Sequence, residues 1–367
     1  MNIYEDIIKE IDKGLEGKND TIPFPIKGLE DYLEIAKNTM YVLAGATGSG
    51  KSTFTVEVFI TSLLNWYLNN KDKTSLKLSV MYFGMERKQV MLTSKLLSRF
   101  IFEEQGIEIP ARKILGRHKE KLTKEEEILV KTYAQKFKQW QEDDLFFCSE
   151  NSKNPTGIKI FLDQFAERNG KLIKRGEGVL DERTYVPNHP NHIVIIVVDH
   201  IGLLRREKDE QGQKKQRLDR FSEIMRTARD LYSFSPVIVQ QLNRSISDVN
   251  RLKLGDTLPK LSDFAETSET QNDSDVAIAL LDPWRVLGND ADEDILRYKL
   301  KKLKDNKGRK FYRSMHILKN TTGVDGVSIP LAFHPVYGIF KKMPKLAQEM
   351  TEQDYNNITS GHFFLST

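Results

Sequence analysis

Eight consecutive residues constrain this chain more than anything else in it. Gly45-Ala46-Thr47-Gly48-Ser49-Gly50-Lys51-Ser52 meets every fixed position of the pattern G-x-x-x-x-G-K-[ST]. An apolar run, Met40 to Ala44, precedes it and reads as a strand; Phe54 to Leu64, largely apolar and of helical character, follows. Between a strand and a helix, such glycines let backbone N–H groups close around a phosphate without side-chain clash. The helix N-terminus adds partial positive charge. Gly45, Ala46, Thr47, Gly48, Ser49, Gly50, Lys51, Ser52 and Thr53 are therefore assigned to a nucleotide, expected to be ATP. Lys51 is expected on the β- and γ-phosphates and the Ser52 hydroxyl on Mg²⁺.

A loop of this kind needs a second acid beside the metal, at the end of a buried strand. Ile193-Val194-Ile195-Ile196-Val197-Val198 is a run of six β-branched residues, the pattern of a parallel strand covered on both faces. It ends in Asp199, placed at the carboxyl edge of the sheet, where ligands of open α/β sheets bind. Hydrolysis also needs a carboxylate to activate water. Val80-Met81-Tyr82-Phe83-Gly84-Met85 leads from another predicted strand to Glu86. That glutamate either serves the water or stabilises the first turn of the helix beginning at Arg87, and spacing alone does not choose between them.

Composition narrows the class further. Of 367 residues, 39% are hydrophobic and 29% charged, enough for a sizeable core and too apolar for disorder. No apolar run approaches the length of a membrane span, and Met1 to Glu10 lacks a basic-then-apolar leader, so no membrane association and a cytoplasmic location are expected. A single cysteine, Cys148, excludes an internal disulfide framework and is read as a small buried hydrophobe. The net charge of +4 says little about nucleic acid by itself. An acidic patch from Asp290 to Asp294 precedes a basic stretch from Arg297 to Arg313, which reads as a solvated face or as a binding surface.

Strand and helix patterns alternate along the chain, which predicts an α/β fold with a mostly parallel sheet and helices on both faces. Further helices are expected at Arg87–Phe102, Leu122–Asp143, Thr156–Asn169 and residues 216–233, with strands at Leu145–Cys148, Pro236–Val239 and Asp275–Leu281. Gly170 to His192 reads as a polar loop. Before the main domain, Ile3, Ile7, Ile8, Ile11 and Leu15 form an apolar stripe at helical spacing, to be buried on its own core or on a neighbouring subunit. Three segments result: a short N-terminal linker helix and connection (1–20), the main domain (21–343, with a basic insertion at about 285–313) and a polar, loose tail (344–367).

Taken together, these motifs resemble the hexameric replicative helicases of the DnaB family, within the RecA-like ATPases, from about Thr21 to about Phe340. Phe83-Gly84-Met85-Glu86 is similar to the family's serine-leucine-glutamate-methionine signature, and this implies that Glu86 is the catalytic base. Asp199-His200-Ile201-Gly202-Leu203 matches the aspartate element. Gln240-Gln241-Leu242-Asn243-Arg244 matches the element in which Gln241 senses the γ-phosphate. Leu261-Ser262-Asp263-Phe264-Ala265-Glu266 resembles a downstream DNA-facing loop. The likeness implies ATP sites between subunits of a homo-hexamer or other ring, single-stranded DNA held by phosphate contacts from Arg244, Arg251 and Lys253, and loader or replication proteins as partners. It further implies a role in replication of a phage or mobile element. The stretch before Thr21 resembles the family's linker helix and is too short for its collar domain.

Two departures stand out. Ala265 occupies a position where the family carries an arginine, and Thr321 stands where an arginine finger is expected. Lys319 keeps the accompanying lysine and, with Arg313, is the candidate contribution from the neighbouring subunit. An alternative is a DnaB-like ATPase that does not unwind and instead loads or regulates a DNA-processing partner through the basic insertion. A recombinase-type ATPase and a small-molecule kinase fit the motifs less well.

Overall fold

The computed structural model describes residues 3–15, 21–86, 88–117, 119–149, 153–175, 182–207, 213–248, 251, 253–265 and 268–365. Glu266, at the end of the downstream element, lies outside them.

Thr21–Pro23 (β1) and Glu34–Ala36 (β2) form a small antiparallel sheet before the main one. The main sheet takes Tyr41–Gly45 (β3), Lys77–Gly84 (β4) and Phe146–Ser149 (β5). Gly170–Arg175 (β6) and Glu182–Pro187 (β7) make a separate hairpin. The main sheet continues with His192–Asp199 (β8), Ser235–Gln241 (β9) and Val276–Leu281 (β10), and closes with Tyr312–Asn320 (β11), Val327–His334 (β12) and Ile339–Lys342 (β13).

Its nine strands lie in the order β5-β4-β8-β9-β3-β10-β11-β12-β13. The first six are parallel and the last three antiparallel. The reason is in the residues: every position of β3, β8 and β10 is buried, which requires cover on both faces. On one face, the helical run from Lys51 to Asn70 and the helices Gln89–Gln105 and Lys124–Glu142 pack over Leu43, Val80, Ile195 and Val237. On the other, Pro155–Asn169 and Lys214–Asp230 pack over Val42, Met81, Ile196 and Ile238. This is the expected RecA-like α/β architecture. The Lys51–Asn70 run contains a π turn at Glu57–Ser62, where buried Glu57 pairs with buried Arg99 of the Gln89–Gln105 helix.

Two expectations are corrected. Gly170 to His192 holds the β6–β7 hairpin, whose adjacent apolar pairs, Leu172-Ile173 and Tyr185-Val186, lack the period-two alternation that marks a strand. The segment after Pro344 is not a loose tail. Thr351 caps the helix Glu352–Ser360 in a reciprocal box with Asp354, and Tyr355, Ile358 and Phe364 are buried. They form a third core with Trp284, Tyr298, Leu300, Leu303 and Tyr312 from the basic insertion. Several of the insertion's cations meet carboxylates of this chain: Lys301 meets Asp292 at 2.5 Å, Arg309 meets Asp305 at 2.5 Å, and Lys302 pairs with Glu352.

The N-terminal helix, Ile3–Leu15, leaves its stripe uncovered: Ile7, Ile8 and Ile11 are more than half exposed and Leu15 is 82% exposed.

Because Ile358 sits in a core shared by two segments distant in sequence, Ile358→Ala is expected to cost about 2–5 kcal/mol. A urea transition followed by circular dichroism measures this; an unchanged midpoint would return the segment to the status of a tail.

Candidate functional site

The parallel strands bring their carboxyl ends to one edge, and the phosphate loop, Glu86, Asp199 and Gln241 collect there, whereas Lys319, paired with Ala277 near the start of β10, lies at the opposite edge. β3 ends at Gly45, the loop turns through Gly48 (φ 75°) and Gly50 (φ 99°), and the helix starts at Lys51. Both positive φ values favour glycine, since any Cβ would be strained there. The first helical turn carries no acid, so its positive end is left for an anion. Ser49 Oγ is buried without a hydrogen-bond partner, and Lys51 is buried at the loop.

Asp199 closes β8 beside it. Its Oδ1 accepts from Ser52 Oγ at 3.0 Å and its Oδ2 from Tyr82 Oη at 2.9 Å. Burial pushes the Asp199 carboxyl above the usual carboxylate range, and the Ser52 and Tyr82 hydrogen bonds and the His200 and Lys51 charges oppose that rise. A neutral hydroxyl and an anionic carboxylate together are hard oxygen donors of the kind Mg²⁺ takes. Among the described residues, no three acidic, histidine or cysteine side chains gather to hold a metal by themselves. The Ser52–Asp199 pair suits a cation that completes its shell with substrate phosphates and water. Ser52 and Asp199 would hold it, and it would neutralise charge on the phosphates.

Glu86 follows β4, is exposed, and lines a cavity of about 160 Å³ with Ser52, Asp199, Lys95 and Arg99. Thr53 lines the same cavity under the turn Pro335–Gly338. Cys148, expected as a buried hydrophobe, is half-buried and forms part of that wall.

Gln241 ends β9 next to Gly45. The main chain there is tied in three places: Leu242 N donates to Gly45 O at 3.2 Å, Asn243 N to Asp263 O at 2.6 Å, and Ala265 N to Gln241 O at 3.0 Å. The loop after Gln241 and the loop around Ala265 are thus joined to each other and to the phosphate-loop strand.

The candidate cations divide. Arg244 and Lys253 are exposed. Arg251 is committed within its loop, bonding Asp263 in a fork at 2.6 and 2.9 Å and donating to Asp256 O and Leu258 O at 2.8 and 2.7 Å. With its donors so occupied, Arg251 is a staple of the loop, in contrast to the phosphate contact expected of it. Lys319 Nζ donates to Asn272 O at 3.1 Å, at the end of the helix Ser268–Asp273, and Thr321 is exposed.

Arg313 requires the firmest revision. It is buried in its own chain, donating to Ser49 O at 2.7 Å and Tyr312 O at 2.5 Å, facing Asp282 at 3.5 Å and lying over the Phe333 ring. It supports its own phosphate loop from beneath and is not available to a neighbouring subunit. A lone arginine within Phe311-Tyr312-Arg313-Ser314-Met315 was the signal for a buried, paired cation. Tyr82 was also passed over: a tyrosine two positions before the strand's end shares a face with the edge where Asp199 sits.

A phosphate loop, a metal-side aspartate and linked loops at the carboxyl edge of a RecA-like sheet define a P-loop nucleoside triphosphatase. Comparison with known proteins agrees. The model for the DnaB-like helicase C-terminal domain matches residues 26–342, so the chain belongs to that family of ATP-hydrolysing helicase domains. A solved structure described as an ATPase domain matches with a TM-score of 0.63 at 16% identity, over 93% of this chain and 98% of that one. A structure described as a DnaB-like replicative helicase and its interactions with primase matches with a TM-score of 0.61 at 15% identity, over 90% of this chain and 66% of that one. A search of curated protein sequences returns no match. Among the described residues, no helix is long and apolar enough to cross a membrane.

If Arg313 acts in its own subunit, Arg313→Ala removes the donor to Ser49 O and one of the two guanidinium partners of Asp282, leaving Arg285 at 3.6 Å, and is expected to destabilise the isolated chain by about 1–3 kcal/mol. Thermal unfolding of dilute protein without nucleotide measures it. A residue that served only a neighbour would leave that transition where it was.

Proposed function

We propose that the chain is an ATP-dependent, DnaB-like helicase or translocase that acts on single-stranded DNA as a ring, in the replication of a phage or mobile element. The Ser52–Asp199 pair at the mouth of the Lys51 loop carries this reading, because it supplies a hydroxyl and a carboxylate where a triphosphate and Mg²⁺ meet. In this reading Lys51 binds the β- and γ-phosphates, Glu86 orients and deprotonates the attacking water, and Gln241 registers loss of the γ-phosphate.

The main-chain bonds from Gly45 to Leu242 and from Gln241 to Ala265 support a direct mechanical route from the nucleotide to the loops. Lys253 and Arg244 would meet DNA phosphates there, independently of sequence. The uncovered stripe on Ile3–Leu15 supports docking on an adjacent subunit, since a soluble helix does not keep such a face in water without cost. Lys319 would reach the neighbour's nucleotide from that assembly. Replication proteins such as a loader or a primase are the partners this reading implies.

The alternative, an ATPase that loads or regulates a DNA-processing partner without unwinding, is favoured by Thr321 and Ala265, which place no guanidinium at either departure. ATP turnover stimulated by single-stranded DNA is expected, falling at least about a hundredfold in Lys51→Ala. Turnover equal in the two proteins defeats the enzyme reading. A forked duplex left intact during DNA-stimulated turnover selects the alternative.

Lys253 and Arg251 make a second, separable test. Lys253→Ala should reduce the slope of log affinity against log salt by about 0.7 for a single strand. Arg251→Ala should instead lower the melting temperature by loosening the loop. The same salt slope in Lys253→Ala and parent would remove Lys253 from the DNA path.

A further inference from the structure

We propose that Tyr82 is a positioning residue for Asp199, and that Gly84 is the space its ring needs. The proposal rests on the ATP and Mg²⁺ reading of the site and adds to it a residue to which the sequence motifs assign no role.

Residues two apart on a strand share a face, so Tyr82 and Gly84 project to the same side of β4. Gly84 pairs with Asp199 of β8 in parallel register. The Tyr82 ring leans along its own strand over Gly84, and its hydroxyl reaches Asp199 Oδ2 at 2.9 Å. A Cβ at position 84 would stand 2.7 Å from Tyr82 Cε1, closer than real Cβ contacts come, and 3.5 Å from Cζ. The glycine at this position is therefore a steric requirement of the tyrosine, because Gly84 has no positive φ to demand it.

A phenylalanine would fill the same buried volume between Val80 and Gly84, so packing alone does not call for the hydroxyl. What the hydroxyl adds is a donor to a carboxylate that is otherwise deep in the sheet edge. With Oδ2 held by Tyr82, Oδ1 is presented to Ser52, the other oxygen donor of the pair. The rotamer is set before any cation arrives. The choice of donor matters as well. A lysine or arginine in this place would cancel the charge of Asp199, whereas a neutral phenol fixes the carboxylate and leaves its charge for the metal.

The test uses the full chain and a fluorescent ATP analogue, with binding followed as Mg²⁺ is titrated. Tyr82→Phe should raise the Mg²⁺ concentration for half-maximal binding by about tenfold, while affinity measured in chelator stays unchanged. Gly84→Ala, which keeps the tyrosine but displaces its ring, should shift the requirement in the same direction. Added to Tyr82→Phe, it should shift it no further, since the hydroxyl bond is already gone.

A folded Tyr82→Phe protein with the parental Mg²⁺ requirement overturns the proposal, as does full additivity of the two changes. Should Tyr82→Phe fail to fold, Gly84→Ala decides alone: an unchanged requirement there overturns it too. A parent chain that binds no nucleotide with Mg²⁺ would bring down the ATP reading as well. Binding that Lys51→Ala abolishes and Tyr82→Phe leaves untouched would sink this inference only.

Discussion

The bond between Ser52 Oγ and Asp199 Oδ1 joins two parts of the chain that sequence keeps far apart, and the rest of the edge is arranged around it. Burying a carboxylate is costly unless donors replace the lost water. Here the cost is offset by two hydroxyls, and one of them belongs to the helix that follows the phosphate loop. The strand that carries Asp199 is wholly buried up to that residue, so its position is fixed by packing on both faces and not by its own polarity. A rigid acid and a rigid loop are what let a small cation be held between them by few protein ligands.

The same restraint extends to the loops beyond Gln241. The loop after β9 is tied by a main-chain bond to the end of β3, the loop around Ala265 by main-chain bonds to Gln241 and Asn243, and the Arg251–Asp263 fork joins the two. Backbone bonds to the phosphate-loop strand mean that a displacement at Gly45 reaches Leu242 directly, without a chain of intervening side chains. Ile246 and Phe264, both buried, seat the bases of the two loops on the sheet while Lys253 and Leu254 remain exposed near the first loop's tip.

Much of this was legible in sequence, for identifiable reasons. The phosphate loop, the six-residue β-branched run and the helical stripes are local patterns whose meaning does not depend on distant partners. Strand β4 and its terminal glutamate were readable for the same reason. The β6–β7 hairpin was missed because its apolar residues fall in adjacent pairs with no period-two alternation, and the C-terminal helices because their few buried residues, Tyr355, Ile358 and Phe364, are dispersed among polar ones. Their core exists only once residues 284–312 are folded beside them, and no local window contains both. Arg251 and Arg313 show the commonest way a charge misleads. Counted as cations they suggest a polyanion, but which carboxylate or carbonyl each one meets is a tertiary fact.

Arg313 also bears on how the site would be completed. A guanidinium held against Ser49 O and Asp282 stiffens the loop from beneath, through contacts that exist in one chain. Stiffening a loop and stabilising charge on a departing phosphate are different tasks, and the first is met here without a second subunit. The second calls for a cation on the open side of the loop, whereas Lys319 lies at the other edge of the sheet, paired with Ala277 near the start of β10 and donating to the carbonyl of Asn272, and Thr321 beside it offers only a hydroxyl. A lysine is a point charge on a flexible stem and does not reproduce the fork of an arginine. The geometry thus separates two tasks: Arg313 braces the loop from within its own chain, and a cation facing the phosphates would have to be a different residue.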